Sequence, residues 1–467
     1  MELINRSACD VVDGLRSGEL TPDDLLDALE ARIAAVDDKV HALPTLCFDR
    51  ARAAAARRKG TPATEGDLLC GLPVPVKDLS EVSGVRTTFG SPIFKDFVPD
   101  FSAHIVERIE ASGGIVYAKS NTPEFGAGAQ TFNEVFPATR NPWNLGMSAA
   151  GSSGGAAAAL ASGLAWLAHG SDMGGSLRNP ASFCGVVGLR PSPGRVPCGS
   201  GSDSFANLAV EGPMARDVDD VALCLDAMCG LEPREPLSLE APPDSFRAAA
   251  AERRPPKRVA YSADLGITPV DPEVAAITGR AVRAFETAGA EVIDAHPDMS
   301  EAHDVFQVLR AHDFAVGLGD AYRHQRGLLK PEVVWNIEQG LNLSADDIAT
   351  AIKRRGELVT RAMTFMGDVD ILATPATIVP AFPVEWRYLE ECAGTRFDTY
   401  IDWLAIVYAI TLTGLPAISI PCGFTKAGLP VGLQLVGRPR GEAALLSAAG
   451  VIQDLLGLPC TPIDPKE

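Results

Sequence analysis

The chain has 467 residues and a formal net charge of −19, in a composition ordinary for a soluble globular enzyme. Its length exceeds what one compact core usually covers, so we expect one large domain with insertions or two closely packed lobes. The acidic balance gives no electrostatic support to a nucleic-acid partner.

The ten cysteines and seven histidines are dispersed. They form no Cys-x-x-Cys pair, no zinc-type Cys/His spacing and no His-Glu-x-x-His motif, so we expect no metal and no cofactor. No apolar run of about 18 residues predicts a membrane span. The first residues lack the basic and apolar regions of a signal peptide, which predicts reduced thiols and a cytoplasmic location.

Helices are predicted over the first 60 residues. The sequence Thr21-Pro-Asp-Asp24 is a helix start signal, with proline in the first turn and acidic residues near the N-terminus. Apolar residues then recur at helical spacing, at Leu25, Leu26, Leu29, Ile33 and Val36. A second helix with a basic face is predicted over 51–59. We expect this segment to pack on the core or on a second protomer, which leaves a homodimer open.

A short apolar run, Gly71-Leu-Pro-Val-Pro-Val-Lys-Asp78, predicts a β-strand that ends at one lysine beside one aspartate. Helix and strand then alternate over 103–119, with a break at Gly113-Gly114.

Two Gly/Ser clusters flank an apolar segment between residues 151 and 195. The clusters are Gly151-Ser-Ser-Gly-Gly155 and Gly170-Ser-Asp-Met-Gly-Gly-Ser-Leu-Arg178, and the Ala/Leu-rich segment 156–168 predicts a buried helix. Serine hydroxyls beside unhindered backbone N–H groups are the components of a nucleophile and an oxyanion site.

The first cluster also matches the G-x-S-x-G nucleophile elbow of α/β-hydrolases, with Ser153 as the nucleophile. Four histidines lie downstream, at His296, His303, His312 and His324, so the supply of histidine does not exclude an elbow. An elbow follows a strand, however, and residues 143–150 carry the Pro, Gly and Asn that indicate a loop. This context disfavours the elbow.

Strands and helices alternate in the second half of the chain. A helix over 218–228 and a surface connection over 231–257 are followed by predicted strands at 258–261, 290–293, 370–374, 418–421 and 431–436. Helices are predicted over 272–288, through most of 299–365, and over 442–456. This alternation favours an α/β layer architecture.

Together these motifs resemble the amidase signature family. The family pattern G-G-S-S-G-G, G-T-D-x-G-G-S-I-R-x-P-A and G-x-K-P corresponds to residues 150–155, 170–181 and 188–191. The departures, Ala150, Ser171, Leu177 and Arg190, remove no chemical group that the family mechanism needs. The resemblance implies an α/β amidase signature fold, in which helices cover both faces of a large mixed β-sheet. It also implies a helical arm over 1–60 and an amidase signature domain over 61–467, with a signature core over 71–230 and a peripheral insertion over about 231–365.

The resemblance also implies a Ser-cisSer-Lys triad, in which Ser176 is the nucleophile, Ser152 the bridging serine and Lys77 the base. Ser152 is preferred to Ser153 because the family serine lies twenty-four positions before the nucleophile. A lysine can act as base only when neutral, and burial favours that form. The implied substrate-binding residues are Gly126, Ser152, Met173, Gly174 and Gly175.

Two further expectations concern the surroundings of the triad. The loop 121–126 is expected to form one wall of the substrate site. Asp172 and Arg178 are expected to brace the nucleophile loop by hydrogen bonds rather than to act chemically.

The function implied by the resemblance is hydrolysis of a small carboxylic amide to acid and amine or ammonia, through an acyl-enzyme and without a metal. One alternative is the glutamine-hydrolysing A subunit of a tRNA-dependent amidotransferase, although segments 121–133 and 397–410 are more similar to free amidases. The other alternative is a catalytically inert family member, and the intact triad residues argue against it.

Aromatic residues near the expected site predict a largely apolar acyl pocket that favours uncharged amides. They are Phe132, Phe136, Tyr388, Phe397, Tyr400 and Trp403. A basic residue turned inward would instead favour a carboxylate substrate.

Overall fold

The computed structural model describes residues 2–59, 64, 66–199 and 203–466. The boundary expected between the helical arm and the following domain, at residues 60 and 61, lies outside the described residues.

The described residues contain fifteen α-helices and fifteen β-strands. The helices are α1 (Glu2–Asn5), α2 (Ala8–Ser17), α3 (Pro22–Val40), α4 (Phe48–Arg58), α5 (His104–Ala111), α6 (Gly154–Ala161), α7 (Arg178–Cys184), α8 (Val218–Met228), α9 (Phe246–Ala251), α10 (Pro272–Val282), α11 (Ala302–Gln325), α12 (Pro331–Leu341), α13 (Ala345–Asp368), α14 (Ala405–Thr413) and α15 (Glu442–Leu456). Short 3₁₀ helices occur at Pro92–Phe94, Glu124–Gly126, Arg283–Ala288, Arg326–Leu328 and Asp402–Leu404.

The strands are β1 (Thr45–Leu46), β2 (Pro73–Lys77), β3 (Ile115–Ser120), β4 (Arg140–Asn141), β5 (Asn144–Ser148), β6 (Leu167–Asp172), β7 (Val187–Arg190), β8 (Val210–Ala215), β9 (Arg258–Tyr261), β10 (Glu291–Asp294), β11 (Ile371–Pro375), β12 (Glu391–Cys392), β13 (Thr395–Arg396), β14 (Ala417–Phe424) and β15 (Pro430–Val436).

Eight of these strands form the central sheet, in the order β10-β9-β11-β15-β14-β7-β8-β6. The three strands at the β10 end are parallel to one another, and all other neighbours are antiparallel, so the sheet is mixed. All seven residues of β15 are buried. Because successive side chains of a strand point to opposite faces, both faces of the sheet are covered at this strand. The predicted α/β fold with a large mixed sheet is confirmed.

The helices of the N-terminal arm pack on the core of their own chain. The predicted start at Thr21 is confirmed, since Thr21 and Asp24 form a capping box. In α2 the backbone N–H groups of Ala8 and Cys9 each donate to the buried Asp220 carboxylate of α8, at 2.8 Å. The arm was expected to pack either on the core or on a second protomer, and its described residues contact the core.

One prediction near the two Gly/Ser clusters is wrong. The segment 156–168 is not one helix, because α6 ends at Ala161 and Gly163 takes the left-handed conformation, with φ +75°. The chain then enters β6, which pairs antiparallel with β8. The Ala-rich composition favoured helix throughout, whereas a left-handed glycine is a helix stop. This early stop allows β6 to carry Asp172 to the second cluster.

The loop predicted over 143–150 is also wrong in part. Residues Asn144–Ser148 form β5, which pairs antiparallel with the two-residue β4. Strand β8 was not predicted. It lies between β7 and β6 although it contains Pro213, and a proline within a strand usually indicates an edge.

Candidate active site

Lys77 lies at the end of a strand that is buried throughout. β2 pairs in parallel with β3, and Lys77 is the register partner of Ser120. The Lys77 backbone N–H donates to His169 Nδ1 of β6 at 3.3 Å. β2 and β6 therefore lie side by side, although they belong to different sheets, and Lys77 reaches the two Gly/Ser clusters.

The Lys77 side chain meets two hydroxyl groups. Its Nζ lies 2.7 Å from Ser152 Oγ and 2.9 Å from Ser171 Oγ. The peptide bond between Gly151 and Ser152 is cis, as the resemblance implied. Ser171 was not predicted as a partner of Lys77. The signal was present in the sequence, since the family pattern has threonine at this position and both residue types carry a hydroxyl.

Burial shifts the protonation of Lys77 towards the neutral form. The loss of solvation lowers the pKa of the Lys77 ammonium to about 7, and the nearby carboxylates of Glu211 and Asp172 oppose part of that shift. Glu211 pairs with the buried His169 at 2.8 Å. At neutral pH a substantial fraction of Lys77 is thus free to accept a proton.

Asp172 organises the loop that carries Ser176. Its carboxylate accepts the backbone N–H of Gly175 at 3.0 Å and that of Leu177 at 3.1 Å, one on each side of Ser176. Arg178 donates to both carboxylate oxygens, at 2.8 and 3.0 Å. Burial alone would raise the pKa of Asp172, but Arg178 and Arg190 hold it below its usual value. Asp172 and Arg178 therefore brace the loop by hydrogen bonds.

These serines and the loop face one cavity. The cavity is lined by Leu79, Phe125, Gly126, Gly128, Ala129, Ser152, Ser171, Met173, Gly174, Ser176, Ala209, Phe306, Arg310, Phe314, Ile401 and Leu404. Four of the five expected substrate-binding residues are on this wall, and so is the loop residue Phe125. Gly175 is not, because its N–H is held by Asp172 and Val407 packs against its Cα.

The sequence profile of the Amidase family matches residues 24–446. The chain belongs to the amidase signature family. It is accordingly an enzyme, an amide hydrolase that acts on non-peptide C–N bonds.

Known relatives span nearly the whole of this amidase. It is 36% identical over 451 residues to an acylamidase of Rhodococcus erythropolis, covering 95% of this chain and 94% of the relative. It is 37% identical over 480 residues to the A subunit of the glutamyl-tRNA(Gln) amidotransferase of Moorella thermoacetica, covering 96% of each. The structure of a bacterial aryl acylamidase matches with a TM-score of 0.90 at 26% identity, covering 97% of this chain and 96% of that chain.

The proton relay expected from Ser176 through Ser152 to Lys77 needs two hydrogen bonds, and one of them is present. The Lys77–Ser152 hydrogen bond is present, whereas in the described residues no side chain is hydrogen-bonded to Ser176 Oγ. Ser176 and Ser152 nevertheless line the same cavity. A substrate carbonyl bound between the two serines would meet the Ser176 hydroxyl, which is hydrogen-bonded to no other side chain of the described ranges.

Ser153 is not positioned as an elbow nucleophile. It is fully buried, it is not on the cavity wall, and its hydroxyl contacts the backbone N–H and C=O of Ser171, each at 3.3 Å. The elbow was disfavoured above for lack of a preceding strand, and that argument fails because β5 precedes it. Burial of the hydroxyl is the better reason.

The aromatic wall of the cavity differs from the one predicted. Phe132 packs against Lys330 and Arg387, Tyr400 is buried, and Trp403 is 1% exposed in the core. None of the six aromatic residues named above lines the cavity. The wall is formed instead by Phe125 and by Phe306 and Phe314 of α11. The segment 231–365, expected to be peripheral, therefore reaches the site, and sequence spacing carries no signal for that long-range packing.

Within the described ranges, no group of three or more His, Cys, Asp or Glu side chains could hold a metal ion. No helix of the part that the structure describes combines the length and hydropathy of a membrane span.

Proposed function

We propose that this amidase hydrolyses a small carboxylic amide to the acid and an amine or ammonia, with Ser176 as nucleophile, Ser152 as relay and Lys77 as base. The observation that carries the proposal is the 2.7 Å contact between a fully buried Lys77 and Ser152. A lysine whose pKa is lowered to about 7 suits a base that works at neutral pH. The presence of both serines on one cavity wall supports their joint role.

In the proposed acylation, Ser176 Oγ attacks the carbonyl carbon of the amide. Its proton passes to Ser152, whose own proton passes to Lys77. When the tetrahedral intermediate collapses, the C–N bond breaks and the proton returns from Lys77 through Ser152 to the leaving nitrogen. Water then attacks the acyl-enzyme by the same route, which releases the acid and restores Ser176.

The oxyanion formed in both steps needs hydrogen-bond donors. The backbone N–H groups of Met173 and Gly174 are the candidates on the cavity wall, because that of Gly175 is already held by Asp172. Preorganised donors of this kind each contribute about 100- to 1000-fold to the rate. The bracing of the loop by Asp172 would keep them aligned before the substrate binds.

The test uses a panel of small aliphatic and aromatic amides, with Ser176→Ala and its matched control Ser153→Ala. We expect Ser176→Ala to abolish turnover and Ser153→Ala to retain a measurable rate. Rapid quenching followed by mass spectrometry of peptides should find the acyl group on the peptide containing Ser176. Substantial turnover by Ser176→Ala would overturn the assignment of the nucleophile.

A second candidate function is that of an amidotransferase A subunit, which would hydrolyse glutamine and pass ammonia to a partner. The 37% identity to the relative from Moorella thermoacetica favours it, and the 36% identity to an acylamidase favours the stand-alone enzyme. Purification separates the two. A stand-alone amidase turns over amides as an isolated chain, whereas an amidotransferase component would co-purify with a partner and need it for activity.

The proposal also includes a cytoplasmic location, and the ten free cysteine thiols support it. The alternative of an inert family member is not proposed, since Ser152 and Ser176 line the cavity and the buried Lys77 contacts Ser152. A homodimer stays a prediction, to be tested by light scattering of the purified chain.

A further inference from the structure

One face of α11 forms a wall of the cavity. Phe306, Arg310 and Phe314 are spaced by four residues, so they lie one above the other on that face, and all three line the cavity with Ser152 and Ser176. Arg310 is only 5% exposed. Among the described residues on the wall it is the one with a charged side chain.

The Arg310 guanidinium has neutral partners. It donates to Asn336 Oδ1 and, at 2.7 Å, to the Tyr400 hydroxyl. It also lies 4.4 Å from the ring centre of Phe314. In the part of the chain that the structure describes, no carboxylate lies within 4.0 Å of it. A buried cation usually has an anionic partner, because desolvation without one is costly.

Two carboxylates near the neighbouring Lys330, those of Glu332 and Glu124, are engaged elsewhere. Glu332 pairs with Arg387 at 2.7 Å. Glu124 accepts the Ser91 hydroxyl at 2.6 Å and the backbone N–H of Lys330 at 2.7 Å. Neither carboxylate pairs with the Arg310 guanidinium. An anion that neutralises this charge would therefore reach Arg310 from the cavity.

Arg310 also has donors to spare. A guanidinium carries five N–H groups in a planar fork, and the contacts with Asn336 and Tyr400 use two of them. This fork matches a carboxylate, which accepts two parallel hydrogen bonds. Both neutral partners hold the side chain in position without neutralising its charge.

The distance between Arg310 and the nucleophile loop determines how long a substrate must be to contact both. A Cβ at Gly174 would lie 3.6 Å from Phe306 Cζ, so Phe306 packs beside the nucleophile loop. Arg310 follows one helical turn later, about 5–6 Å along α11. A group held by Arg310 is therefore separated from the reacting carbonyl by a short spacer.

We propose that Arg310 binds a carboxylate on the acyl part of the substrate, so that the preferred substrates are half-amides of short dicarboxylic acids. The proposal rests on the amide hydrolysis proposed above and names the substrate class of that site. It replaces the uncharged amides predicted from the sequence, since the basic residue that would favour a carboxylate does face the cavity.

The first test compares kcat/KM for matched pairs of equal chain length: succinamic acid with butanamide, glutaramic acid with pentanamide, and adipamic acid with hexanamide. We expect at least one acid to be preferred by about 10- to 100-fold, the range expected for hydrogen bonds to a charged group. Arg310→Met should lose that preference, mainly through KM, so that its kcat/KM falls much more for the acid than for the matched neutral amide.

Arg387→Met is the matched control, because Arg387 carries the same charge on a neighbouring segment, pairs with Glu332 and is not on the cavity wall. It should keep the preference for the acid. Equal losses on acid and neutral amides in Arg310→Met would mean that Arg310 only supports the fold, and the proposal would be wrong.

A binding measurement keeps the proposal testable without turnover and without an Arg310 variant. Calorimetry on Ser176→Ala should give a Kd for the preferred half-amide about 10- to 100-fold below that of its neutral partner. Equal affinities would overturn the role of Arg310. If the acid binds more tightly but wild type hydrolyses no amide, the proposed function fails while the carboxylate site stands. If neutral amides turn over and no acid is preferred, the proposed function stands and the carboxylate site fails.

Discussion

Lys77 Nζ and Ser152 Oγ lie 2.7 Å apart at a point where Lys77 is fully buried and Ser152 is 2% exposed. Bulk water is thus largely excluded from this hydrogen bond. The protonation state of Lys77 is therefore governed by burial and by its neighbours, which makes the pH dependence of the rate a direct report on this pair.

Activity should rise with pH through the pKa of Lys77. Because burial lowers that pKa to about 7, the base is mostly protonated and idle at pH 6 and mostly neutral at pH 8. A pH profile of kcat/KM should show an ascending limb with a midpoint of about 7. Lys77→Ala should reduce the rate by about 100- to 10,000-fold and lose the limb. An unchanged profile in that variant would show that another group is the base.

The hydroxyl of Ser171 should contribute to catalysis through Lys77. Ser171 Oγ lies 2.9 Å from Lys77 Nζ and also lines the cavity. We expect Ser171→Ala to lower kcat by about tenfold, the worth of a hydrogen bond near 1.4 kcal/mol. Ser171→Thr keeps the hydroxyl and should retain most of the rate. If alanine and threonine variants behave alike, the hydroxyl has no such role.

Removing the charge of Asp172 should destabilise the fold. Asp172→Asn leaves the buried cations Arg178 and Arg190 without their counter-charge. The expected loss is about 3–5 kcal/mol in the free energy of unfolding, measured by urea titration. Asp320→Asn is the control, because the Asp320–Arg323 pair is exposed and should contribute no more than about 1 kcal/mol. Similar losses in both variants would contradict this account.

Two glycine-to-alanine changes should have opposite effects on stability. A Cβ at Gly155 would lie 2.3 Å from the backbone nitrogen of Asn121 and 2.6 Å from the carbonyl oxygen of Ala42, so Gly155→Ala should cost about 1–3 kcal/mol. A Cβ at Gly356, within α13, would meet nothing within 4 Å. Gly356→Ala should therefore stabilise by about 0.5–1 kcal/mol. Thermal unfolding of both variants checks the pair, and a stabilising Gly155→Ala would contradict the close approach of α6.

The sequence was informative where local chemistry determines the structure. The run ending at Lys77 predicted a strand, and Thr21 with Asp24 predicted a helix start, and both are observed. The contact between Lys77 and Ser152 followed from the resemblance to a family, since residues 75 positions apart have no local signal of proximity.

Sequence reasoning failed where two conformations compete or where packing is long-range. The Ala-rich residues after Ser153 suit a helix, but residues 162–166, with the left-handed Gly163, separate α6 from β6. Arg310 was not named because its significance depends on α11 lying over the cavity. The pattern of α11 is consistent with any half-buried helix, so the sequence carries no signal that this helix lines the cavity.

The cavity divides its two tasks between separate parts of the chain. The residues proposed for bond cleavage, Lys77, Ser152 and Ser176, come from β2 and the two Gly/Ser clusters, while Phe306, Arg310 and Phe314 come from one helix face. Phe306 is fully buried beside the braced loop, whereas the side-chain hydrogen bonds of Arg310 go to Asn336 and Tyr400 and not to that loop. Arg310 and Phe314 can therefore be exchanged without removing a hydrogen bond of the loop. A combinatorial library limited to these two positions is a direct way to redirect this enzyme to other amides while its cleavage chemistry is retained.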